Sequence, residues 1–259
     1  MTTATRTTMV TSMADGSAAA EPRCTGDDED RAPDGAALVR LMTWLSPAFP
    51  VGAFTYSHGL EWAIEDGTVT NAASLEAWIG SVLRHGAGRT DAVLLAEAWR
   101  ATRVRDTLRL TDAADLAFAL QPSRERRLEA GAQGKAFVTA VAATWEAPTL
   151  SALADDLAPT PVAYAVAVGV AGADHAIPLG ALLEAHLTAF VANLVSAAVR
   201  AVPLGQTDGQ RVIRALTGVV AETAGEARAA APDDVGGAAL RADIASMKHE
   251  TQYTRLFRS

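Results

Sequence analysis

"PLGALLEAHLTAFVANLVSAAVR", residues 178–200, is the stretch on which the fold turns. Leu183, Leu187, Phe190 and Leu194 recur every three or four residues, the spacing that lays side chains along one face of an α-helix. At about 1.5 Å per residue such a helix exceeds ~30 Å, long enough for a bilayer crossing. Glu184, His186, Asn193 and Arg200 argue against a membrane. The last three recur every seven residues and draw a polar line down an otherwise apolar helix. The segment reads as the central helix of a bundle, with one edge turned to water or to a partner.

Outward from this helix the same period repeats. Leu38, Leu41, Met42 and Leu45 predict a helix that Ser46-Pro47 ends, since proline disfavours helical geometry in the residue before it. "SHGLEWAIEDG" predicts a short helix closed by Gly67, and Leu75, Trp78, Ile79, Val82 and Leu83 a longer one ending near Gly86. Leu94, Leu95, Ala98 and Trp99 mark a helix starting just after Asp91, followed by one over residues 108–120. Pro122-Ser123 opens another, and Ala/Val-rich segments follow at roughly 148–157 and 160–173. Beyond the central helix, residues 210–225 and the stripe Leu240, Ile244, Met247 predict two more, separated by a linker-like "AAAPDDVGG".

The chain has 259 residues, of which 49% are hydrophobic but only 5% aromatic, so alanine, leucine and valine must fill the core. That balance suits close helix–helix packing better than a sheet. No segment alternates with period two. The expectation is all-α: one compact, bundle-like domain over residues 36–259, with about nine to eleven helices. Residues 1–35 are expected to form a disordered extension without the apolar run of a signal peptide, and its "DDED" at 27–30 to be solvated.

A formal net charge of −8 disfavours nucleic acid, which calls for a basic face. One cysteine, Cys24, rules out an intrachain disulfide framework and points to a reducing, cytoplasmic setting. Motifs for chemistry are weak. "HETQY" at 249–253 puts Tyr253 where a zinc-binding helix needs its second histidine. His175 and His186 are separated by Pro178 and read as solvent-facing. His58, near Glu61, could act as a general base but has no evident nucleophile beside it. "GQTDGQ" at 205–210 lacks the Lys-Ser/Thr of a phosphate loop and reads as a helix-connecting turn. No cofactor and no metal ligand are expected.

Two stretches are left over. "SPAFPVGAFTYSHGLE", residues 46–61, has the prolines and glycines of a loop with the aromatics of a core. Phe49, Phe54 and Tyr56 could plug the bundle end or face a partner. The ending "RLFRS" sets Leu256 and Phe257 between Arg255 and Arg258, a pair that must dock at home or on a partner.

"LSPAFPVGAFTYSHGLE", "SAAVRAVPLGQTDGQ" and "HETQYTRLFRS", in that order, resemble the urease accessory protein UreF family from about residue 36 onward, although His58 stands where glutamine is more usual there. The resemblance implies an all-α, dimer-forming chaperone with no chemistry of its own. Its implied partners are a UreD/UreH-type accessory protein, a UreG-type GTPase and apo-urease, into which the assembly inserts nickel. It implies a GTPase-facing loop with Phe54, Tyr56, His58 and Glu61. It also implies a flexible UreD-facing tail, residues 249–259, with His249, Glu250, Tyr253, Arg255, Leu256, Phe257 and Arg258. Two other readings make different demands. A helical enzyme working on a small molecule would need an interior pocket with His58 or His186 as base. A protein that itself holds nickel would use His175, His186 or His249.

Overall fold

The structure, a computed structural model, describes Met1 and residues 29–259. Among these residues it is helical with no strand, as the spacing predicts. The helices are α1 (Gly35–Trp44), α2 (Leu60–Glu65), α3 (Ala72–His85), α4 (Ala87–Val104), α5 (Thr107–Ala119) and α6 (Arg124–Thr144). They continue with α7 (Pro148–Asp156), α8 (Tyr164–Asp174), α9 (Leu179–Ala201), α10 (Gln206–Ala229) and α11 (Leu240–His249). Their starts follow side-chain chemistry. Asp34 accepts from the Ala37 amide, Asp106 from Arg109 and Ser123 from Arg126, while Asn71 and Ser74 cap α3 reciprocally.

The centre of the bundle is α8 lying on α4, with α6 across α8 and α9 pairing with α10. Every residue of α8 from Ala165 to Ala173 is buried. The helices can approach so closely because small residues stand at the crossings. A Cβ on Gly134 of α6 would lie 1.9 Å from the Val162 carbonyl oxygen. The Gly134→Ala variant should therefore lose about 3 kcal/mol, the clash outweighing the roughly 1 kcal/mol gained in helix propensity. A fall in Tm of about 10 °C is the readout.

α9 carries Leu183, Leu187 and Leu194 inward, with Phe190 partly buried. It is long and apolar enough to cross a membrane, yet half of its most apolar window is buried inside the fold. α4 begins at Ala87, earlier than expected, because Gly86 starts it and leads straight from α3. α10 begins at Gln206, so "GQTDGQ" is the helix start that follows the turn. The "AAAPDDVGG" stretch is not a loose linker. Arg89 bonds the Asp234 and Gly236 carbonyls, and the Ala238 amide donates to His85.

Two helices depart from their apparent stripes, α1 in part and α11 throughout. α1 buries Ala37, Leu41 and Trp44 and exposes Leu38 and Met42. α11 exposes Leu240, Ile244 and Met247 and buries Ala245, Ser246 and His249 instead. The inner surface it meets explains this. Ser246 bonds Ser123 at 2.6 Å, His249 meets two carboxylates, and Gly59 lets the backbones touch, since a Cβ there would sit 2.6 Å from the Ser246 nitrogen.

The expected N-terminal extension falls outside the described residues up to 28, as does Cys24. Residues after it lie against the bundle. Glu29 makes two 2.8 Å bonds to Arg100, Asp30 pairs with Arg228, and Arg31 reaches the Ala176 carbonyl. The second half of "DDED" is thus ion-paired rather than solvated.

Candidate partner-docking site

The loop before α2 needs two unusual backbone positions in succession. His58 (φ 56°) and Gly59 (φ 75°) are both left-handed, which turns the chain sharply into the helix. The three aromatics divide. Phe49 packs on Phe137, with ring centroids 5.6 Å apart, and Tyr56 is buried, whereas Phe54 is 61% exposed. The loop is therefore partly plug and partly surface.

Asn193 and Arg200 of the α9 polar line reach across to this loop. Asn193 Nδ2 donates to the Tyr56 carbonyl at 3.3 Å and Arg200 Nη2 to that of Phe54 at 2.8 Å. The Arg200 guanidinium also lies 4.6 Å from the Phe257 ring centroid, in the tail. His186 is buried, which brings its pKa down to about 4. His175 is half-buried against Trp44. Neither faces solvent as the sequence reading expects.

The tail is tied to the loop by its backbone. The Ser57 amide donates to the Ser259 carbonyl at 2.7 Å, and Ser57 Oγ donates to the same oxygen. The Arg258 amide donates to the Thr55 carbonyl at 2.8 Å. Glu61 is the hub: its carboxylate accepts from the amides of Leu256 (2.6 Å) and Phe257 (3.0 Å), and lies 3.0 Å from His249 Nε2. His249 Nδ1 lies 2.6 Å from Glu125, which also receives Arg255 at 2.7 Å. Each ring nitrogen of His249 thus has a carboxylate oxygen within hydrogen-bond reach. Glu250 accepts from the Arg124 amide at the start of α6 (2.7 Å).

Behind Ser259 lies a second carboxylate, Glu129, almost fully buried. One oxygen accepts from Gln133 (2.8 Å) and His58 Nε2 (2.7 Å), and the other from Ser259 Oγ (2.6 Å) and Arg126. Burial alone would raise this carboxyl; Arg126, His58 and Ser259 outweigh it and hold the pKa at about 2. The pKa of His58 is lowered by burial and by Arg126, and its Nε2 lies between Glu129 (2.7 Å) and Arg126 Nη1 (3.0 Å).

Every residue expected to contact a partner lies on this one loop–tail unit, but they do not all face outward. Phe54, Tyr253 (103% exposed) and Leu256 (69%) do. Glu61, His58, His249, Tyr56 and Phe257 point inward and hold the unit together, while Arg255 and Arg258 lie over Glu125 and Tyr56. Sequence reasoning did not single out Glu125, Arg126 and Glu129. Arg126, Glu129 and Gln133 fall at i, i+3 and i+7 on one helical face, a polar stripe with no evident reason to be wet.

Beneath the loop is a cavity of about 160 Å³ of the kind the enzyme reading requires, reached by His58, Asp91, Arg126, Glu129 and Tyr164. His58 does not stand free in it as a base, because its Nε2 is held by Glu129. Among the described residues no three His, Cys, Asp or Glu side chains are grouped to hold a metal ion.

Fold and site together define an all-α protein that joins a stiff apolar loop to its own C-terminal tail. The family model of UreF matches residues 69–217. The chain is 56% identical over 228 residues to the urease accessory protein UreF of Rhodopseudomonas palustris (strain HaA2), covering 88% of this chain and 96% of that one. It is 52% identical over 239 residues to UreF of Bradyrhizobium diazoefficiens, covering 92% and 98%. The chain belongs to the UreF family of urease accessory proteins, with a role in urease maturation.

Proposed function

We propose that this protein is a non-catalytic scaffold of urease maturation. It joins a UreD/UreH-type accessory protein through the tail at 249–259 and a UreG-type GTPase through the loop at 46–61, as a homodimer in the cytoplasm. The assembly couples GTP hydrolysis to nickel insertion into apo-urease.

The observation that supports this best is the joint construction of loop and tail. A surface that recruits two partners in order needs the first contact to be felt at the second. Here the Ser57 and Arg258 amides bond across from one segment to the other. Phe54, Tyr253 and Leu256 then offer exposed apolar area of the kind that anchors interfaces. Because the loop is already stiffened by Pro47 and Pro50 and pinned by Arg200, little entropy is lost when it docks.

Co-purification tests the reading. Full-length chain should carry the UreD-type protein with it, and a version lacking residues 250–259 should lose it while keeping its helix content by circular dichroism. Undiminished capture by the truncated chain would show that the tail is not the grip.

A further inference from the structure

The cavity under the loop has a chemistry of its own. Exposed Pro47, Phe54 and Ser196 frame its mouth, and Phe49, Val51 and Phe190 wall it with apolar surface. On the polar side the charges do not balance. Arg126 is ion-paired with Glu129, and His58 and His186 are neutral because burial lowers the pKa of each. Asp91 is left over, with no hydrogen bond or ion pair among the described residues. Burial raises its pKa to about 6, with Arg126 pulling it down and Glu129 pushing it up, so it is ionised at neutral pH with no ion-pair partner of its own. Asp91 also lines a neighbouring cavity of the same size, where Asp243 adds a second acid.

An unpaired carboxylate facing an open, partly aromatic cavity calls for a positive charge on an apolar body. A hydrated metal ion would need several ligands converging, and no such group is present among the described residues. An anion would meet Asp91 and Glu129. We propose that this cavity binds a small organic ammonium ion, with Asp91 as its counter-charge and Phe49 and Phe190 as its apolar and cation–π wall. The inference rests on the cavity alone and stands whether or not loop and tail dock partners.

The experiment is calorimetric titration of the full chain at neutral pH with benzylammonium, with benzyl alcohol and with benzoate. Benzylammonium should bind saturably and at least about tenfold more tightly than the alcohol of the same shape, with benzoate weakest. Asp91→Asn should erase the preference for the cation while melting no lower than the wild type, because it removes a partly buried charge that bonds to no neighbour. Equal affinity for the alcohol and the ammonium, preference for benzoate, or undiminished cation binding by Asp91→Asn would overturn the assignment. Should that variant fail to fold, the three-ligand comparison on the wild type decides. A lysine side chain carries the same chemistry, so a blocked tripeptide with a central lysine is titrated alongside. Tighter binding of benzylammonium assigns the site to free amines, and tighter binding of the peptide to a lysine presented by a partner. Binding of neither overturns the proposal.

Discussion

Glu129→Ala is expected to be the most damaging single substitution in the chain, costing about 3–5 kcal/mol. The carboxylate takes four donors, from Gln133, His58, Ser259 and Arg126. Removing it leaves Arg126 as a buried cation without its partner. Chemical denaturation should show the midpoint shift with an unchanged slope. The wild type should report the same carboxylate through pH. Its folded pKa of about 2 lies below the ordinary glutamate value of 4.5, so the stability it contributes is complete above 4.5. That contribution disappears as pH falls from 4.5 towards 2. Other groups act earlier and in both directions: the lowered His58 and His175 also cost stability as pH falls below 6.5, and the raised Asp243 returns some. Neutral His186, at about 4 against 6.5, costs stability as pH falls from 6.5 to 4. Asp91, at about 6 against 3.8, returns a similar amount over nearly the same range. The loss of stability between pH 4.5 and 2 should therefore be smaller in Glu129→Gln than in the wild type.

Glu61→Ala should cost less in global stability, about 2–4 kcal/mol, and more in function. Three donors lose their acceptor: the amides of Leu256 and Phe257 and the ring of His249. Unlike those around Glu129, the two amides belong to a segment that can swing into water, which caps the measured loss. The helices should stay intact by circular dichroism while the tail detaches, and capture of both partners should fall together. Loss of the UreD-type partner alone, with the GTPase still bound, would show that loop and tail act separately.

The helices were legible because the spacing of Leu183, Leu187 and Leu194 belongs to each segment by itself. Which face of a helix turns inward does not. On α11 the apolar stripe Leu240, Ile244, Met247 suggests a core face, but Ser246 and His249 have better partners waiting in Ser123, Glu61 and Glu125. Hydrophobic patterning cannot register a buried polar network whose members come from four elements. The site was legible as two stretches and invisible as one. Ser57 and Ser259 stand 202 positions apart, and nothing local to either shows that they meet. The seven-residue polar line of α9 was the one available hint, since Asn193 and Arg200 mark where a second polar backbone had to lie.

The central claim is that the tail organises the loop, and amide hydrogen exchange at Ser57 tests it most directly. In the full chain this amide donates to the Ser259 carbonyl and should be protected. In a chain lacking residues 250–259 its exchange should accelerate at least about tenfold, the equivalent of about 1.4 kcal/mol, while amides of the buried α8 stay slow. Unchanged exchange at Ser57 would mean that the loop holds its shape without the tail, and the composite surface would have to be abandoned.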